Sequence, residues 1–243
     1  MTALRTAIVT GGARGIGAEI ARGLAADGYR VAILDLLDEP GRSTAAAIGG
    51  VFVQADVGDV ASARAAMAEA IADLGGVGVL VNSAGILGKG PLIDIDADDW
   101  DRVLRINARG TLLTMQSAAA DMIERGTPGR IVNIASMAAK RGGAGEAHYA
   151  ASKAAVVALT RAGATEWGPH GITVNALCPG YVLTEMGAAT RSAHDVEAWT
   201  ALSPLGRLGT PDDVAAITRF LVSDGGSYFT GQALDVSGGM VMQ

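Results

Sequence analysis

A Tyr149-Ala-Ala-Ser-Lys153 pentad, with Ser136 thirteen residues upstream, is the grouping in this chain best suited to chemistry. Four apart on a helix, Tyr149 and Lys153 share one face. A phenol titrates near ~10 and is a poor proton donor at neutral pH until something lowers that value. A nearby ammonium can do so by roughly 1–3 units, as opposite charges do for each other. The Ser136 hydroxyl could hydrogen-bond the same oxygen that the tyrosine protonates. The set suits proton transfer to or from an alcohol oxygen. The chain holds only three lysines, Lys89, Lys140 and Lys153, so a Tyr-x-x-x-Lys pair arises by chance in roughly 5% of such sequences.

A place for a hydride carrier lies at the other end of the chain. Thr10-Gly-Gly-Ala-Arg-Gly-Ile-Gly17 joins a first strand to a first helix. Glycines there let backbone approach a pyrophosphate, and the helix N-terminus offers unpaired N–H groups with a favourable dipole. The spacing Gly11-x-x-x-Gly15-x-Gly17 is weak evidence alone in a chain with 34 glycines. The second strand ends in Leu34-Asp35, where a carboxylate can accept both ribose hydroxyls of an adenosine and repel a 2′-phosphate. Asp35 also suits the start of a turn, and the two roles are compatible. Arg14 is the contrary sign, yet no second cation follows Asp35, since residues 36 and 37 are both Leu. NAD is therefore expected over NADP. Asp56-Val57 ends the third strand, with a carboxylate for an adenine amino group. Asn82-Ser83-Ala84-Gly85 ends the fourth, and Pro179-Gly180 the sixth, with the Thr184 hydroxyl placed to hold a carboxamide.

Composition narrows the alternatives. A chain of 243 residues, 49% hydrophobic and 18% charged, can bury a sizeable core and fits one domain spanning 1–243. A net charge of −6 argues against nucleic acid or an anionic membrane as partner. The lone Cys178 excludes an intramolecular disulfide and suits a reducing compartment. Its apolar neighbours read as a buried strand thiol rather than a nucleophile. No membrane span or signal peptide is evident, so a cytoplasmic protein is expected. His148, His170 and His194 lie too far apart for a metal site, and none is expected.

Short apolar runs alternate with helical patterns. Strands are expected at 6–10, 30–34, 51–55, 77–82, 130–135, 172–178 and 232–236. Helices are expected near 16–27, 41–48, 59–74, 97–124, 148–167 and 211–223. Apolar runs such as Val77-Gly-Val-Leu-Val81 suit a parallel sheet covered on both faces. The alternation predicts an α/β, Rossmann-type doubly wound sheet. Helix 97–124 should be capped by Asp96 or Asp98 and bury Trp100, Val103, Leu104 and Ala108 as one stripe. The least regular segment, 184–210, follows a strand end and is placed to act as a substrate lid. Met186, Val196, Trp199 and Leu202 would give it an apolar lining. Glu146 and His148 flank the tyrosine and could contact substrate, although a helix-cap or surface histidine is the preferred reading of His148.

With these motifs in order, the chain resembles the short-chain dehydrogenase/reductase family over essentially its whole length. Ser83 departs from the family's usual Asn-Asn-Ala-Gly strand end. The resemblance implies Tyr149 as general acid or base, Lys153 as the group that lowers its pKa and binds the nicotinamide ribose, and Ser136 as the orienter of the substrate oxygen. Asn107 would hold a water linking Lys153 to solvent. Cofactor contacts would come from Gly11, Arg14, Gly15, Ile16, Gly17, Asp35, Asp56, Val57, Asn82, Ser83, Ala84, Gly85, Pro179, Gly180, Val182 and Thr184. Ser136, Glu146, His148 and Met186 would meet a small-molecule substrate. The expected activity is NAD(H)-dependent interconversion of a secondary alcohol and a ketone. The alternatives are a 3-oxoacyl-thioester reductase, left open by Arg125, Arg130 and Arg141, a sugar or polyol dehydrogenase, or an NAD-binding sensor. A homotetramer is also implied, with the helices at 97–124 and 148–167 forming one interface.

Overall fold

The computed structural model describes residues 4–184 and 192–242. Seven parallel strands form one sheet in the order β3-β2-β1-β4-β5-β6-β7. They are β1 (Thr6–Thr10), β2 (Arg30–Asp35), β3 (Val51–Gln54), β4 (Val79–Asn82), β5 (Gly129–Ile134), β6 (Ile172–Pro179) and β7 (Ala233–Val236). Every residue of β1 is buried, which is why it carries no polar alternation. Ile8, Leu80 and Ile131 pack on one face of the sheet, and Val9, Val81 and Val132 on the other.

Helices α1 (Gly15–Ala26), α2 (Asp38–Ala47), α3 (Val60–Leu74), α4 (Ala97–Leu104), α5 (Gly110–Glu124), α6 (Ala138–Arg141), α7 (Ala147–Trp167), α8 (Ala193–Ala201) and α9 (Pro211–Val222) complete the described chain. Registers set Thr10 beside both Leu34 and Asn82, and Asn82 beside Asn133. The carboxyl ends of the strands are thereby level. The chain leaves the sheet on one side after β1 and on the other after β4, so a crevice opens above these two neighbours.

Two expectations need correction. The helix expected at 97–124 is interrupted by a π-turn, Arg105–Arg109, with Asn107 fully buried in it. A π-turn re-aims the side chains that follow it, so one continuous helical stripe does not form. Val103 is buried, whereas Trp100 is 38% exposed and Leu104 and Ala108 are only half-buried. Of the two caps expected, Asp96 is the one formed, accepting from the Asp99 N–H at 2.7 Å. The stretch taken as the least regular also contains α8, which Ser192 and Asp195 cap reciprocally. No helix among the described residues is long and apolar enough to cross a membrane.

Candidate active site

A cleft of about 470 Å³ runs across the carboxyl edge of the sheet, from the glycine turn to Tyr149. The three turn glycines are required for different reasons. A Cβ on Gly17 would lie 2.1 Å from the Gly11 carbonyl oxygen, and one on Gly11 would lie 2.6 Å from the Ala84 nitrogen. Those two allow backbone to pack on backbone. Gly15 has φ +60° and faces only the Thr184 side chain, 3.7 Å from a notional Cβ. It leaves a cradle at the start of α1, whose first turn holds no acidic side chain and whose cap residue makes no side-chain hydrogen bond. Free N–H groups aimed into an open cradle fit a pyrophosphate.

Asp35 lies at the far end of the cleft. Its two carboxylate oxygens accept from the Ala13 and Leu37 N–H groups, each at 3.0 Å. Each oxygen keeps a lone pair for a ribose hydroxyl. Asp56 accepts from the Gly58 N–H at 2.8 Å and lines the cleft with Val57. Arg14 is exposed on the rim and makes no ion pair among the described residues, whereas Arg42 is held by Asp38 at 2.8 Å. Ile16, Ser83, Ala84, Gly85, Pro179, Gly180, Val182 and Thr184 also line the cleft.

Asn82 does not. Its side chain points down into the sheet, donating to Asn133 Oδ1 at 2.9 Å and accepting from Thr114 Oγ1 at 2.6 Å. Asn133 in turn donates to Thr160 Oγ1 at 2.9 Å. This buried ladder ties β4 and β5 to α5 and α7. Leaving one of its amides unpaired would cost about 1–3 kcal/mol, which accounts for an Asn here without a ligand.

Ser136, Tyr149 and Lys153 meet at the other end of the cleft. Lys153 is buried, its Nζ donating to the Ile134 carbonyl at 2.8 Å and lying 5.9 Å from the centre of the Tyr149 ring. Burial lowers its pKa from 10.5 to about 8. The Tyr149 phenol departs from the sequence expectation: its pKa is raised, chiefly by burial, with the charges of Glu146 and Cys178 adding to the rise. The Ser136 hydroxyl acts in the opposite direction. Desolvation of the phenolate is thus the larger effect here, and the ammonium does not override it. Cys178 is fully buried beneath the site, a strand thiol as expected.

Asn107 reaches the same spot from the π-turn. A Cβ on Gly85 would lie 3.1 Å from Asn107 Oδ1 and 3.3 Å from Lys153 Nζ, so a side chain there would crowd both. The Asn107 amide accepts from the Ile86 N–H at 2.8 Å and donates to the Ile86 carbonyl and to Ser152 Oγ. Both of its donors are spent inside the protein, leaving only oxygen lone pairs for a water.

The substrate side holds the other surprises. His148 is not on the surface and does not line the cleft. It is fully buried, with Nε2 3.0 Å from Asp99 Oδ2, and it packs against Gly88. One step along a helix turns a side chain by about 100°, so the neighbour of a cleft-facing Tyr149 faces elsewhere. Glu146 does line the cleft. Met186 lies outside the described residues. Of the other lid residues, Trp199 lines the cleft while Val196 and Leu202 do not. Trp199 stacks on Tyr181, centroids 4.3 Å apart and planes 7° from parallel. Tyr181, Leu87, Lys89 and Met137 were not foreseen as lining residues; only the position of Tyr181 straight after Pro179-Gly180 signalled it. Among the three arginines considered for a carrier protein, Arg125 is paired with Asp121, and Arg130 sits at the amino end of β5, away from the cleft. Arg141 alone stands near its mouth, donating to the Tyr181 hydroxyl at 3.3 Å.

The doubly wound sheet carries a cleft across its carboxyl edge, with the glycine turn and Asp35 at one end and Ser136, Tyr149 and Lys153 at the other. A family model described as enoyl-(acyl carrier protein) reductase matches residues 11–241. Human (3R)-3-hydroxyacyl-CoA dehydrogenase is 36% identical over 97% of this chain and 95% of its own. D-threitol dehydrogenase of Mycolicibacterium smegmatis is 39% identical over 98% and 94%. A short-chain type dehydrogenase/reductase from Mycobacterium marinum superposes with a TM-score of 0.92 at 33% identity, covering 98% of this chain and 96% of that one. The chain belongs to the short-chain dehydrogenase/reductase family and is an oxidoreductase acting on CH–OH groups with a nicotinamide cofactor.

Proposed function

We propose that the protein is an NAD(H)-dependent oxidoreductase interconverting a small secondary alcohol and its ketone. The observation that carries the reading is one cleft with Asp35 at one end and Ser136, Tyr149 and Lys153 at the other. The bound nicotinamide supplies or accepts the hydride. Tyr149 donates its phenolic proton to the carbonyl oxygen in reduction and receives it back in oxidation. Ser136 donates a hydrogen bond to that oxygen and stabilises its developing charge. Lys153 binds the nicotinamide ribose hydroxyls and stabilises the phenolate left after proton transfer. Asn107 positions the β4 loop against α7. Asp35 accepts the two adenosine ribose hydroxyls, and neither Leu36 nor Leu37 after it offers a 2′-phosphate a partner. The names of the relatives, a hydroxyacyl-CoA and a threitol dehydrogenase, both denote oxidation of an alcohol carbon. A reducing cytoplasm suits the lone thiol. A panel of ketones and alcohols assayed with NADH, NADPH and their oxidised forms by nicotinamide absorbance tests the reading. Turnover with NADPH but not NADH would overturn the cofactor assignment.

The two pKa shifts have a consequence. Lys153 loses its charge through about pH 8, while Tyr149 is still protonated. The kcat for ketone reduction should therefore fall as pH rises through about 8, because an uncharged amine no longer stabilises the emerging phenolate. A profile flat between about pH 6 and 10 would remove Lys153 from that role.

Assembly as a homotetramer completes the proposal. Ala154 and Ala158 of α7 are exposed in the single chain and Ala155 and Leu159 half-buried, so this helix carries apolar surface on more than its core side. A second apolar group, Phe220, Tyr228 and Phe229, lies exposed near the end of α9. Two separate patches suit two kinds of two-fold contact. Sedimentation at micromolar concentration should report four chains; a stable, fully active monomer would refute it.

A further inference from the structure

The Glu146 carboxylate lines the same cleft as the Tyr149 phenol, and nothing in the mechanism uses it. It is half-buried, lines the cleft at the start of α7 three residues before Tyr149, and its charge reaches the phenol. Gly143 makes room for it, since a Cβ there would lie 3.1 Å from Glu146 Oε2. Among the described residues no N–H or O–H group donates to the Glu146 side chain. A half-buried carboxylate facing an open cleft keeps its lone pairs available to a donor on a ligand. Removal of His148 from the cleft leaves Glu146 as the acceptor on that wall.

Two features narrow the ligand. Lys89 and Lys153 line the same cleft, so an ammonium substrate would meet two cations there, while a carboxylate would meet Glu146. In the same cleft, the stacked Tyr181 and Trp199 offer an apolar aromatic surface of the kind that packs against C–H bonds. A few placed polar groups against an apolar wall are how pockets orient small ligands.

Resting on the alcohol–ketone reading above, we propose that the substrate is a neutral vicinal diol or short polyol. Glu146 accepts a hydrogen bond from the hydroxyl on the carbon next to the one oxidised, and the Tyr181–Trp199 slab packs against the carbon chain. The product is the matching hydroxyketone. A simple secondary alcohol has no donor to give Glu146, and a hydroxy acid brings a second carboxylate against it.

The test compares 2,3-butanediol, 2-butanol and 1-amino-2-propanol as substrates of the enzyme with oxidised nicotinamide. The diol should exceed 2-butanol in kcat/KM by roughly 10- to 100-fold, the scale of one charge-assisted hydrogen bond. Glu146→Ala should bring that ratio towards one. Glu146→Gln, which keeps an acceptor oxygen, should leave an intermediate ratio. Both variants should move the pH profile of alcohol oxidation to lower pH, because a charge that raises the Tyr149 pKa is gone. Equal use of the diol and 2-butanol by the unmodified enzyme, an unchanged ratio in Glu146→Ala, or preference for the amino alcohol would each overturn the proposal. If no alcohol or ketone turns over with either nicotinamide, the alcohol–ketone reading falls first and takes this one with it.

Discussion

Tyr149→Phe should lower kcat at least about 100-fold in both directions, the usual scale for loss of a positioned general acid. The ring that packs beside Lys153 is kept, and only the transferable proton is removed. Cofactor affinity, read by quenching or calorimetry, should change little, because the glycine cradle and Asp35 lie at the other end of the cleft. Retention of more than a tenth of the original turnover would mean that another group carries the proton. The raised pKa of Tyr149 bears on direction as well as rate. A phenol held protonated by burial is ready to act as an acid in reduction, whereas oxidation requires the phenolate and should gain from higher pH until Lys153 loses its charge.

The second large effect concerns cofactor choice. Asp35→Ser combined with Leu36→Arg should shift the NADPH-to-NADH ratio of kcat/KM by at least about 100-fold, since a repulsive carboxylate is lost and a phosphate partner gained. Serine is preferred to alanine because Asp35 also accepts the Ala13 and Leu37 N–H groups, and alanine would strand both. Leu36 is 61% exposed, so an arginine there gives up little buried area. A double variant that still favours NADH would show that selection rests elsewhere in the loop, with Arg14 and Leu37 the next residues to change.

Different parts of the site were legible to different degrees. The glycine turn, Asp35 and the Ser136–Tyr149–Lys153 set were readable because residue type, spacing and order along alternating strands and helices jointly specify them. Asn82 was not, although it stands in the same strand-end motif as Ser83 to Gly85. Successive strand residues point to opposite faces, and which face Asn82 takes depends on Asn133 and Thr114, residues distant in sequence. His148 was misplaced for a related reason. Its polarity and its nearness to Tyr149 in sequence suggested the site or the surface, while it is buried against Asp99 and Gly88.

The sequence by itself determined the doubly wound α/β class, the position of the cleft at the strand ends and the presence of Ser136, Tyr149 and Lys153 in its lining. These follow from local periodicity and from chemistry that few residue types can perform. Only the tertiary structure decided that Tyr149 is pushed up rather than down, that helix 97–124 breaks at Asn107, and that Tyr181 stacks on Trp199. The physical reason is common to all three. Desolvation, a π-turn and a stacked pair each depend on what arrives from remote parts of the chain, and spacing within one segment does not encode the depth at which that segment will lie.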